Sequence, residues 1–216
     1  MIITSKFVWG HIPKTGGDAL FKYFEIFKFK LTTGFYHHPN QWFEKHEPFK
    51  TRKDYELDGK MLVLNIRRLP NWIVSMEHQN IANRSTNIKS IHATPNGEIL
   101  PMAWPFTMPR SGEELCYSTE GDNFLKAFMD NGNFKIDYFL RMEHLQQDFL
   151  KFISKFIIPS DIMIQQVMGT DTYKSLDYNK DLSLWFTPNQ IKTLYENNPI
   201  WAEVEARYYK NERIFG

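Results

Sequence analysis

The chain has 216 residues, 42% hydrophobic and 16% aromatic, enough for one sizeable core, and it predicts a single domain over residues 1–216. Lys and Arg number 26 against 25 Asp and Glu, a formal charge of +1, so a nucleic acid held by general basicity is not expected and any anion site must be local. Cys116 is the only cysteine, which rules out an internal disulfide and a cysteine-based zinc site; with no run near ~18 apolar residues, the chain reads as cytoplasmic, without a membrane partner, provided it is the whole gene product.

A strand near Lys6 to Trp9 runs into the loop HIPKTGG, and a helix follows whose apolar residues Leu20, Tyr23, Phe24 and Phe27 keep the i, i+3, i+4, i+7 spacing. Thr32 to Asp58 is irregular, broken by Gly34, Pro39 and Pro48. MLVLNI, Met61 to Ile66, lacks alternation and therefore predicts a strand buried on both faces of a parallel sheet, with a helix from Asn71 to about Gln79 behind it. Ser85 to Ser118 is a proline-rich excursion of loops, and long loops in compact domains often carry function. Asp122 is placed to cap a helix holding Leu125, Phe128 and Met129. Ile136 to Arg141 predicts a strand, and Leu145, Phe149, Phe152, Ile153 and Phe156 an apolar helical stripe. Thr187, Pro188 and Gln190 form a capping box, and Asn198-Pro199 opens a last helix. Strands alternating with helices predict an α/β fold.

A helix start leaves about four N–H groups without partners and carries roughly half a positive charge, which suits a glycine loop there to an anion. Gly16 and Gly17 would let the backbone approach, and Lys14 adds a full charge; a plain strand-to-helix turn with an exposed lysine is the alternative. The order of residues is neither G-x-x-x-x-G-K-[ST] nor G-x-G-x-x-G.

HIPKTGGDAL resembles the 5′-phosphosulfate loop of sulfotransferases that use 3′-phosphoadenosine 5′-phosphosulfate (PAPS), especially the carbohydrate branch. RRLPNWIVSMEH is similar to that family's 3′-phosphate element R-x-P-x-x-R-x-x-S, with Arg67 and Ser75 in the matching positions. Lys45-His46, the segment DYFLRMEHLQQDF and the tail from Trp185 to Phe215-Gly216 extend the likeness over most of the chain. The resemblance implies a P-loop-NTPase-like three-layer fold, a central parallel sheet flanked by helices. It also implies transfer of a sulfuryl group from PAPS to a hydroxyl of a carbohydrate or small-molecule acceptor, leaving adenosine 3′,5′-bisphosphate, with no metal required.

On that reading Lys14 is catalytic, and Lys14, Thr15, Gly16, Gly17, Asp18, Ala19, Arg67 and Ser75 bind the donor. The sequence leaves the general base open: His46 is first choice, and His37 and His38 are second. His11 orients the loop; Glu143 and His144, at a strand-to-helix junction, are near enough to serve, although the resemblance implies a structural role for Glu143. Trp42, Trp104 and Phe106 are either platforms for sugar rings or buried aromatics.

Two departures stand out. Asp18 and Ala19 replace the hydroxyl residues of the family loop. At ~4 Å and an effective dielectric near 20, a carboxylate facing a phosphate costs about 4 kcal/mol, whereas beside an empty site it would make a good helix cap. Leu69-Pro70 shifts the proline of the second element and Trp72 replaces an arginine; Arg68 either compensates or is a solvated charge. A non-catalytic sulfotransferase-like binding module and a nucleotide kinase with a degenerate loop are the rival readings. The oligomeric state is open.

Overall fold

MLVLNI lacks alternation because its strand is covered on both sides: every residue after Met61 is buried. The computed structural model describes residues 1–28, 46, 48–49, 57–85, 110–129, 135–170 and 179–210, and for 80–85 the backbone only. Among the described residues, four strands, β1 (Ile2–Ile3), β2 (Phe7–Gly10), β3 (Met61–Ile66) and β4 (Tyr138–Arg141), make one sheet in the order β1-β2-β3-β4. β2, β3 and β4 are mutually parallel and β1 is antiparallel to β2. The result is a mixed α/β structure with a mostly parallel sheet flanked by helices. The chain divides into two compact units, Met1–Arg67 with Ala127–Lys174, and Arg68–Lys126 with Ser175–Gly216.

The first unit holds the sheet. Its β2 strand begins at Phe7, not Lys6, because Thr4 closes a tight turn: the Thr4 hydroxyl accepts the N–H of Lys6 (3.1 Å) and Phe7 (2.9 Å) and donates to the Phe7 carbonyl (2.8 Å). Phe7 and Trp9 point to one face, where they join Leu20, Tyr23 and Phe24 of α1 (Gly17–Ile26), Phe149 and Phe152 of α5 (Leu145–Ile153) and Val167 of α6 (Asp161–Gly169). Phe7 lies 5.6 Å from Phe24 and 5.1 Å from Phe152, centroid to centroid, while Phe149 meets the rings of Tyr23 and Phe24 at 5.2 and 5.3 Å. Such pairs add about 0.5–1.5 kcal/mol each to the burial of their area. On the opposite face a Cβ at Gly10 would stand 2.8 Å from Leu64 Cδ2 and 2.9 Å from Phe49 Cζ, so this strand end admits only glycine without repacking. Within LRMEHLQQDF, Asp148 accepts from the Arg141 backbone N–H (3.0 Å), Nε (2.8 Å) and Nη2 (2.8 Å), and so ties the end of β4 to α5.

The second unit is helical: α2 (Leu69–Ser85), α3 (Gly112–Leu115), α4 (Glu120–Met129) as far as Lys126, α7 (Pro188–Glu196) and α8 (Pro199–Tyr208). α2 begins two residues earlier than its spacing predicts, at Leu69, whose N–H is taken by the buried Glu205 carboxylate. Trp72 packs as a core residue, 4.8 Å from the ring of Trp201 and 5.2 Å from that of Phe124. Arg68 is not a solvated charge: its guanidinium lies 3.5 Å from Glu205 and 4.3 Å above the ring of Tyr209. Asp122 does not cap its own helix, which starts at Glu120; its carboxylate instead accepts the N–H of Ile200 (3.1 Å) and Trp201 (2.8 Å) at the start of α8. The Thr187 box forms as expected, with Thr187 N–H donating to Gln190 Oε1 at 2.7 Å and Pro188 in the first turn. Among the described residues, no helix is long and apolar enough to cross a membrane.

Candidate functional site

β2 ends at Gly10 and α1 begins at Gly17, so HIPKTG is the whole connection. Such a short link must reverse direction sharply. It does so at Lys14 (φ 62) and Gly16 (φ 88), both in the left-handed region. For lysine that conformation costs on the order of 1–3 kcal/mol, a strain that persists only where neighbours impose it.

Those neighbours can be named. The carbonyl oxygen of His11 lies 3.0 Å from His46 Nδ1, and that of Ile12 accepts the Thr15 hydroxyl at 2.5 Å. The carbonyl of Lys14 accepts from Arg67 Nη1 at 3.4 Å, and that of Thr15 from Asn65 Nδ2 at 2.9 Å. Asn65 and Arg67 lie at and just after the end of β3, the parallel neighbour of β2, so sheet register brings both to the loop. His11 is buried, its ring stacked 5.3 Å from that of Trp9 and tilted against that of His46 at 4.4 Å. Because a carbonyl can only accept, His46 carries its proton on Nδ1 in this contact, which leaves Nε2 as the basic nitrogen of the neutral ring.

Gly16 is required by the turn and by internal packing, Gly17 by packing alone. A Cβ at Gly17 would fall 2.1 Å from two atoms of the His11 ring, and one at Gly16 would fall 2.2 Å from Met142 Sδ. Among the described residues, nothing accepts a hydrogen bond from the N–H of Thr15, Gly16 or Gly17. Three donors thus remain at a helix start that has no side-chain cap, its N-cap being Gly16. Asp18 is therefore not the cap; it is an exposed first-turn carboxylate, where it complements the helix dipole.

The expected site residues divide as follows. Lys14, Thr15, Gly16, Gly17, Asp18, Ala19, His46 and Arg67 belong to the first unit. Of these, Thr15, Ala19 and His46 are buried, and Lys14 and Arg67 are partly exposed. Ser75 belongs to the second unit, where it is buried in α2. His37, His38, Trp42, Lys45, Trp104 and Phe106 lie outside the described residues. Among the described residues, no group of three or more His, Cys, Asp or Glu side chains could hold a metal ion. Sequence reading missed Asn65 and Met142. The signal for Asn65 was present: it is the one polar side chain in an apolar strand.

The class that this geometry defines is an α/β protein with a strand–loop–helix turn at the C-terminal end of parallel strands. Comparison with family models, with curated proteins and with solved structures found no match.

Proposed function

We propose that the chain is a PAPS-dependent sulfotransferase with a P-loop-like three-layer fold, transferring a sulfuryl group to a hydroxyl of a carbohydrate or small-molecule acceptor. The observation that carries the proposal is the meeting of Arg67 with the carbonyl of Lys14 at 3.4 Å, beside three loop N–H groups with no acceptor among the described residues. A guanidinium on the loop backbone and a helix start with open N–H groups, with a lysine in the same loop, suit a ligand with more than one anionic oxygen group.

Each residue has a role in that scheme. Thr15, Gly16 and Gly17 hold the 5′-phosphate through their N–H groups. Lys14 neutralises the charge that grows on the departing oxygen, and Arg67 serves the second phosphate. His46 Nε2 takes the proton of the attacking hydroxyl. The donor supplies the sulfuryl group; orientation and charge stabilisation are what this chain contributes.

Exposed Asp18 favours a second reading, a sulfotransferase-like module that binds without catalysis, because its carboxylate competes with an anion for the helix start. Thermal unfolding separates the readings. A ligand at ~100 times its dissociation constant adds about 2.7 kcal/mol of stability. Stabilisation by adenosine 3′,5′-bisphosphate and PAPS, without a response to ATP and magnesium, is the expected result. A response to ATP and magnesium alone would mark a kinase, and no response to any of the three the binding module.

A further inference from the structure

We infer that Trp9 and Asn65 form a buried tether that sets the loop amides for a tetrahedral oxyanion, with Asn65 as a positioning residue; this rests on the donor-site reading above. Asn65 is fully buried in an otherwise apolar strand, where an amide is tolerated only if its groups are bonded. Its oxygen accepts from Trp9 Nε1 at 2.7 Å, and its nitrogen donates to the Thr15 carbonyl at 2.9 Å. Indole N–H can only donate and a carbonyl can only accept, so the tether has one orientation. A reversed amide would set donor against donor at Trp9 and oxygen against oxygen at Thr15.

The consequence for the loop follows from peptide geometry. No peptide in the described chain is cis, and in a trans peptide the C=O and the next N–H point in opposite directions. Drawing the Thr15 carbonyl to Asn65 therefore turns the Gly16 N–H directly away from it. Arg67 does the same for the Thr15 N–H by holding the Lys14 carbonyl. The carbonyls of His11 and Ile12 are taken too, by His46 and the Thr15 hydroxyl, so four loop oxygens that would repel an anion are engaged inside the unit. The amides of residues 15 and 16 are left as two successive donors with no acceptor among the described residues, and successive backbone N–H groups are what phosphate- or sulfate-like groups bind. An asparagine serving strand stability alone would bond only within the sheet; this one joins Trp9 of β2 to the loop.

Backbone amide NMR with adenosine 3′,5′-bisphosphate tests the tether. In the native chain the Thr15 and Gly16 N–H resonances should move downfield and saturate with the ligand. Trp9→Phe removes the donor that orients Asn65, and Asn65→Asp puts an oxygen against the Thr15 carbonyl. Each should weaken bisphosphate binding at least tenfold and abolish the Gly16 shift, while resonances of β3 and α1 keep their folded positions. Native affinity with an unchanged Gly16 shift in either folded variant would overturn the inference. If both variants fail to fold, the native chain decides it: bisphosphate binding that leaves Thr15 and Gly16 unmoved removes the tether's role and those two amides from the donor site, while bisphosphate binding itself stands. A native chain that binds no bisphosphate overturns the donor reading and the tether with it.

Discussion

Tyr23 carries a hydroxyl into the apolar interior of the first unit, where it is fully buried and has no hydrogen-bond partner among the described residues. Burial pushes its pKa up to about 12. A lone buried hydroxyl costs on the order of 1 kcal/mol, so Tyr23→Phe should raise unfolding stability by about that amount in urea titrations at neutral pH. The pH dependence has a definite sign. A phenol whose folded pKa is raised keeps its contribution below the unfolded value near 10 and loses it as the pH climbs towards 12; the Phe variant lacks that alkaline loss. At this scale the sequence marks the loop glycines but not their reason. Reading them as room for a ligand misses that the rings and thioether of His11 and Met142 already fill the space of their absent side chains. Met142 is 126 positions from Gly16 along the chain, and no local pattern connects the two.

Caps show how far local signals reach at the scale of elements. The Thr187 box is a matter of four consecutive residues and is legible in full. A second box, Ser111 with Glu114, opens α3 inside the stretch read as plain excursion; its helix covers only Gly112–Leu115, too short to show periodicity. Asp122 is the instructive failure, because the residue type is right for a cap and the helix is wrong. Asn198, the local candidate for α8, is engaged elsewhere: it donates to the carbonyls of Ser118 (2.6 Å) and Leu194 (2.8 Å) and accepts the Asp122 N–H (3.0 Å). Asp122→Ala should therefore leave the start of α4 intact and free two N–H groups of α8. The expected cost is about 1–2 kcal/mol, seen as a lower urea midpoint, with faster amide exchange at Ile200 and Trp201. Unchanged exchange at those two amides would show that the cap does not hold α8.

For the whole molecule, the parallel sheet was readable because a strand covered on both faces has no reason to alternate, and β3 obeys that rule from Leu62 to Ile66. β1 was not readable: two residues, Ile2–Ile3, carry no period, and their pairing is fixed by the turn at Thr4. Half of the candidate site was legible in the same way. Lys14, the glycines and Arg67 stand in motifs, whereas the hold of Asn65 on Thr15 spans 50 positions and arises only once β2 and β3 are in register. The central claim is that this loop and Arg67 grip a bisphosphorylated nucleotide, and calorimetric titration of adenosine 3′,5′-bisphosphate into the native chain and Lys14→Ala tests it most directly. One saturable site in the native chain, weakened at least tenfold in the folded variant, is the predicted result; no heat of binding in the native chain, or equal affinity in both, would contradict it.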